Sequence, residues 1–278
     1  MKDPWQFTLM SEIKSIIQGK STSEGLSFFL GAGADISSGG ILFSDLKRRC
    51  LSQQGIALPV HASPLMVDSA FDNYFCSLTE EERCVVLENL LRETRDLHPS
   101  DGYRLLVLMA REKFVSSVIT TNFDNLMEQT ESDMGISAFQ IYSPGISVPA
   151  LYLINHRPTK AIYLKMHGDV DGRCVTHLTK EELNNRNYQE EYKILLQHLL
   201  THSTVVIAGY SGYDPKIADI FQQNLDKLHT VYWCNPSTPD PNAPLVKVLS
   251  DAQKLRYIRT GFDDFVETIA SEIFKERM

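Results

Sequence analysis

The feature that most constrains this chain is a rhythm: short apolar runs that stop at glycine or polar residues, separated by longer amphipathic stretches. The first run, Leu26–Leu30, ends at Gly31-Ala32-Gly33, and others follow at Val115–Thr120, Ala161–Met166, Thr204–Ala208, Thr230–Trp233 and Leu255–Ile258. Runs this short and this apolar read as strands buried on both faces. Between them, apolar residues recur at three- and four-residue steps over Tyr103–Lys113, Asp124–Ser132, Tyr188–His202, Pro215–Leu228 and Phe262–Lys275, the spacing of helices with one buried stripe. Strand alternating with helix predicts an α/β fold, a Rossmann-like open parallel sheet of about six strands with helices on both faces.

One stretch departs from the rhythm. Phe43–Leu97 holds several helical patterns and no strand, so residues 43–113 are expected to be mainly a helical insertion after the first strand. Thr79 and Glu82 have the spacing of a capping box, which makes Glu80-Glu81-Glu82 a solvated helix start. Asn235–Pro244 is dense in proline and reads as an extended loop after a strand. A length of 278 residues fits one continuous α/β domain, so residues 1–278 are expected to form a single domain.

Charge and cysteine usage exclude several classes. A net charge of −8 repels phosphate backbones, so no direct nucleic-acid partner is expected. No apolar stretch reaches bilayer length and the N-terminus, with Lys2, Asp3 and Trp5, lacks a signal-peptide core, so the expectation is a cytoplasmic protein without a membrane partner. Cys50, Cys76, Cys84, Cys174 and Cys234 are scattered and form no Cys-x-x-Cys pair, which argues against a zinc ribbon and a disulfide framework.

The chemistry-bearing residues lie where strands end, the place where an open parallel sheet forms its ligand crevice. Gly31-Ala32-Gly33-Ala34-Asp35 suits close approach of a pyrophosphate to the backbone, although such glycines also serve tight turns with no ligand. Thr121-Asn122-Phe123-Asp124 follows the second strand; Asp124 by itself is a helix cap, whereas Asn122 sits just inside the turn. His167, after an apolar strand and before Gly168, has the position for proton transfer. Gly209-Tyr210-Ser211-Gly212-Tyr213-Asp214 again permits close backbone approach, with Ser211 able to hydrogen-bond a ribose or phosphate oxygen. His198 and His202 stand four apart on a helix without a third ligand and read as packing or surface residues, and no Gly-x-Ser-x-Gly elbow supports a serine hydrolase.

Taken together these motifs resemble the sirtuin superfamily, and within it the zinc-free branch found as NAD-consuming domains in bacterial antiphage defence proteins. The resemblance spans most of the chain. It implies that Gly31, Ala32 and Gly33 hold the NAD phosphates, with Asp35 in the same turn among the cofactor-binding residues. Thr121-Asn122-Phe123-Asp124 stands for the sirtuin Gln-Asn-Ile-Asp segment, with Asn122 positioning water and Asp124 gripping nicotinamide. His167-Gly168 matches the sirtuin His-Gly pair, Gly209-Tyr210-Ser211 the Gly-Thr-Ser turn, and Asn235 the Asn after the next strand, the last two sites holding the adenosine half. The departures are the missing zinc cysteines, Thr121 in place of Gln, and Ile41-Leu42-Phe43-Ser44-Asp45 where a Pro-Asp-Phe-Arg loop covers the nicotinamide pocket.

The implied activity is NAD glycohydrolysis, with Asn122 and His167 catalytic, NAD as substrate and no metal, and with NAD depletion in infected cells as its use. Two other readings remain: an NAD-dependent protein deacylase, which the absent zinc cysteines disfavour, and a non-catalytic sensor of NAD or ADP-ribose, which needs neither Asn122 nor His167. A hydride-transferring dehydrogenase lacks its ribose-binding acid. An NAD-consuming enzyme must be restrained, so a homo-oligomer or an attached sensor domain is expected. The last helix reaches Met278 without a stop signal, which suggests the N-terminal effector part of a longer protein.

Overall fold

The computed structural model describes residues 25–92, 97–144, 146–149, 158–169 and 190–275. Lys2, Asp3, Trp5, Cys174, the Tyr188 start of a predicted helix and the tail at Met278 lie outside them.

The chain opens with β1 (Leu26–Leu30) and a 3₁₀ segment, Ala32–Ser38. Four helices follow: α1 (Phe43–Gln53), α2 (Pro64–Cys76), α3 (Glu80–Arg92) and α4 (Asp101–Arg111). Then come β2 (Val115–Thr120), α5 (Leu126–Met134), β3 (Phe139–Tyr142) and β4 (Ala161–Lys165). The remaining elements are α6 (Glu190–His202), β5 (Thr204–Ala208), α7 (Pro215–Gln223), β6 (Val231–Cys234), α8 (Pro244–Asp251), β7 (Leu255–Ile258) and α9 (Phe262–Lys275).

The strands pair in parallel in the order β3-β4-β2-β1-β5-β6-β7. The sheet therefore has seven strands where about six are predicted. The extra one, β3, is a four-residue edge strand of sequence Phe-Gln-Ile-Tyr whose middle residues are only half-buried.

Alternation of side chains along each strand separates two cores. On one face Phe28, Val118, Tyr163, Val206 and Tyr232 pack under α4, α5 and α9; on the other Phe29, Ile119, Leu164, Val205, Ile207 and Trp233 pack under α6, α7 and α8. A third apolar cluster joins α1, α2 and α3 through Leu46, Leu51, Val67, Phe71, Phe75 and Leu90. Each buried Phe there contributes on the order of 1.5–3 kcal/mol. Phe123, from the loop after β2, belongs to this third cluster, so the insertion is packed against the sheet's upper rim. The capping box of α3 forms as the sequence predicts: the Thr79 amide donates to the Glu82 carboxylate at 2.9 Å, and the Glu82 amide donates to Thr79 Oγ1 at 3.3 Å. No helix among the described residues is long and apolar enough to cross a membrane.

The strand register levels the ends that matter. Leu30 pairs with both Thr120 and Ala208, Thr120 with Lys165, and Ala208 with Cys234. The turns at Gly31, Thr121, Met166, Gly209 and Asn235 consequently begin at one height along the C-terminal edge. From β1 the chain goes on to one side of the sheet and later returns to the other side at β5, so the topological switch lies beside β1, where open α/β sheets form their crevice.

Candidate functional site

The crevice is built on close contact between two turns. The Gly31 amide donates to the Ala208 carbonyl at 3.0 Å and the Gly33 amide to the Gly209 carbonyl at 2.8 Å. A Cβ at Gly209 would stand 2.1 Å from the Ala34 nitrogen, and its φ of +63° lies in the left-handed region. A Cβ at Gly31 would meet the Tyr210 backbone at 2.7 Å. Glycine is therefore required here for the turns after β1 and β5 to touch. Ala32 and Gly33 are half-buried along the crevice wall, Ser211 is exposed on its rim, and Tyr210 packs beneath, 4.9 Å from the Phe29 ring.

Asp35 ends up inside. Its Oδ1 accepts the Tyr103 hydroxyl from α4, and its Oδ2 accepts the Asn122 side-chain amide at 2.8 Å. Burial, then the neighbouring Asp124 charge, push the Asp35 carboxyl well above the ordinary carboxylate range. Asp124 is only 3% exposed and its Oδ1 accepts the Leu126 amide at 2.9 Å, closing an Asx turn that starts α5 two residues later than its predicted start.

Asn122 is thereby fixed from two directions. Its backbone amide donates to Thr120 Oγ1 at 3.0 Å, and its side-chain nitrogen is committed to Asp35. The Asn122 Oδ1 is then the group left to accept a hydrogen bond from water. Thr121 is half-buried, with its amide donating to the Leu30 carbonyl at 3.2 Å.

His167 lies on the neighbouring loop, after β4. Its Nε2 is 2.8 Å from Asp214 Oδ2, and its ring stands 6.5 Å from that of Phe123. Asp214 caps α7, where Oδ1 accepts the amides of Lys216 at 2.8 Å and Ile217 at 3.2 Å. Burial alone pushes this carboxyl up, but the His167 contact and the two amides overcome it and hold Asp214 below the ordinary range.

Beneath the loop sits a fully buried Lys165. Its Nζ donates to the Asp124 carbonyl at 2.6 Å and to Glu128 at 3.2 Å, and it pairs with Asp169. Loss of water lowers the tendency of this ammonium to stay charged, yet Glu128 and Asp169 more than offset that, and its pKa is raised. Burial lifts Glu128 to about 7 against the pull of Lys165.

The structure thus bonds Asn122 to Asp35, with the Asp124 charge neighbouring Asp35, and sets His167 one loop away, after the strand next to β2. Gly31, Gly33 and Gly209 line the switch point. Asn235 follows β6, one strand beyond β5; it is half-buried, with its carbonyl accepting the Tyr257 hydroxyl at 3.0 Å.

Asp214, Lys165 and Tyr103 join the site without being singled out by the sequence. The Asp214-Pro215 pair reads locally as an ordinary helix start, and its partner lies 47 residues away in the chain. Lys165, a cation inside an apolar run, was the available signal of a buried counter-charge. Among the described residues no group of three or more His, Cys, Asp or Glu has metal-binding geometry, and Cys50, Cys76 and Cys234 are thiols outside any disulfide.

Comparison with known proteins bears on the family and the fold. A family model described as a SIR2-like domain matches residues 116–258. NAD(+) hydrolase ThsA of Cytobacillus dafuensis is 24% identical over 199 residues, covering 70% of this chain and 37% of that protein. The chain therefore spans little more than a third of that curated relative. Among solved structures, a complex of a Sir2 homologue with NAD superimposes with a TM-score of 0.58 at 11% identity, covering 100% of this chain and 96% of the other. A complex of a point mutant of a Sir2 homologue with ADP-ribose gives a TM-score of 0.57 at 12% identity, over 95% and 96% of the two chains. At these identities the structural likeness concerns the fold.

Proposed function

The chain belongs to the SIR2-like family, and from that premise we propose that it is an NAD glycohydrolase, releasing nicotinamide and ADP-ribose, with Asn122 and His167 as its catalytic residues. The observation that carries this reading is the pairing of an anchored Asn122 with a carboxylate-bound His167 on adjacent loops at the switch point. Binding phosphates requires neither residue.

In the reaction the C1′–N1 bond of NAD breaks, its electron pair neutralises the pyridinium nitrogen, and nicotinamide leaves. Water oxygen bonds C1′ of the oxocarbenium-like ribose and gives its proton to His167, which passes it to solvent. Asn122 Oδ1 orients that water. Gly31, Ala32, Gly33 and Gly209 would lie along the pyrophosphate, Thr121 and Asp124 near nicotinamide, and Ser211 and Asn235 toward the adenosine half, with Asp35 acting on the site by holding Asn122. The relative that is an NAD(+) hydrolase supports the reaction class. The motif resemblance to antiphage proteins supports use as an NAD-depleting effector held in check by self-assembly or an attached domain.

The test is nicotinamide release from NAD by the purified chain, with and without acetyl-lysine peptide, beside His167→Ala and Asn122→Ala. Release without peptide, lost at least about 10²-fold in both variants, is the expected result. Peptide-dependent release would replace this reading with a deacylase, and NAD binding without turnover would replace it with a sensor.

A further inference from the structure

We propose that Asp214 is the positioning residue of His167, holding the imidazole as its Nε2–H tautomer so that Nδ1 is the nitrogen that takes the proton. This rests on His167 being the base. One oxygen of Asp214 is occupied by the Lys216 and Ile217 amides at the start of α7, and the other faces Nε2 at 2.8 Å. Side-chain exposures of 3% for Asp214 and 10% for His167 leave little water to compete. A carboxylate so placed can only accept, so Nε2 must bring the hydrogen, and in a neutral ring the lone pair then resides on Nδ1. The helix start does the orienting: three donors converge on one carboxylate, which fixes its plane and, through it, the ring.

The contact also spans the switch point. His167 follows β4 and Asp214 precedes α7 after β5, and β2 and β1 lie between those strands in the sheet. The bond therefore passes across the loops bearing Asn122 and the Gly31–Gly33 turn, so the base is placed with respect to both halves of the crevice. The Phe123 ring stands 6.5 Å from that of His167, and the Nε2 contact to Asp214 opposes rotation of the imidazole about its own side-chain torsions.

The experiment compares Asp214→Asn and Asp214→Ser with the unsubstituted chain, reading steady-state kinetics and the ¹⁵N imidazole resonances of His167, assigned by their loss in His167→Ala. Both replacements are good N-caps, so α7 retains its start. In Asp214→Asn the side-chain oxygen caps the helix and the amide nitrogen donates to Nε2, which moves the ring proton to Nδ1. The expected result is a fall in kcat of about 10²–10⁴-fold, with KM for NAD within about threefold, as a wrong tautomer of a catalytic histidine produces. Asp214→Ser, which neither accepts nor donates at that distance, should fall less in kcat and give a mixture of tautomers. A wild-type ring protonated at Nδ1, or an Asp214→Asn chain with unchanged kcat, overturns the proposal. If His167→Ala itself leaves release intact, the base assignment fails; if His167→Ala abolishes release and Asp214→Asn does not, only the positioning role fails. The tautomer measurement decides the geometry even in a chain with no turnover.

Discussion

Asp35 shows how a residue's neighbours decide its role. In the sequence it belongs to a glycine-rich turn and reads as a cofactor-binding residue; in the structure it is buried and bonds Tyr103 and Asn122. Removing its carboxyl in Asp35→Ala leaves two buried donors without an acceptor, which should cost about 1–3 kcal/mol in urea unfolding and release the Asn122 amide from its orientation, lowering nicotinamide release. Asp35→Asn, neutral like the protonated acid, should stay closer to the unsubstituted chain. The sign with pH follows from the raised folded-state value. The folded protein binds the proton more tightly than the unfolded chain does, so stability is present at low pH and declines as pH rises from the ordinary carboxylate range through the folded value. Asp35→Asn has no such proton to lose, and its stability relative to the unsubstituted chain should therefore improve as pH rises.

At the scale of elements, the turns after β1 and β5 function as one piece. Gly209→Ala would put a methyl group against the Ala34 nitrogen in a left-handed conformation, and the conformation alone costs roughly 1–2 kcal/mol before any clash. The expected outcome is a lower midpoint in thermal unfolding and loss of NAD binding by calorimetry, whereas Gly55→Ala, with open space around its Cβ, should keep NAD binding despite its own positive φ. The placing of Gly31, Asn122, His167, Gly209 and Asn235 at one edge was legible because each follows an apolar run, and parallel pairing levels the ends of such runs. Edge strand β3 was not: Gln140 interrupts its four residues, and its middle is only half-buried. Helix limits moved where side chains override periodicity: the Asp124 Asx turn delays α5, and α7 stops at Gln223 although apolar spacing continues to Leu228. The bond between His167 and Asp214 is a tertiary contact with no periodic signature.

For the molecule as a whole, the net charge of −8 makes binding of an anionic dinucleotide depend on local donors at the crevice, because the long-range field opposes it. A ligand that binds only the folded chain raises its stability by mass action, about 2.7 kcal/mol at a hundredfold excess over Kd. His167→Ala, which should bind NAD without consuming it, is expected to show a rise in Tm of several degrees with NAD, and none with a DNA duplex of equal phosphate concentration; equal shifts would contradict a crevice specific for the dinucleotide. The same connectivity bears on the insertion. Phe123 is wedged into the core shared by α1, α2 and α3, while residue 122, one peptide bond away, carries the amide held by Asp35 and proposed above to orient water. Three helices thus occupy the long arm of a lever whose short arm is that amide. A loosening among them too slight to register as melting would already blunt the aim of the amide at its water, making turnover a more sensitive gauge of the insertion's packing than any unfolding curve.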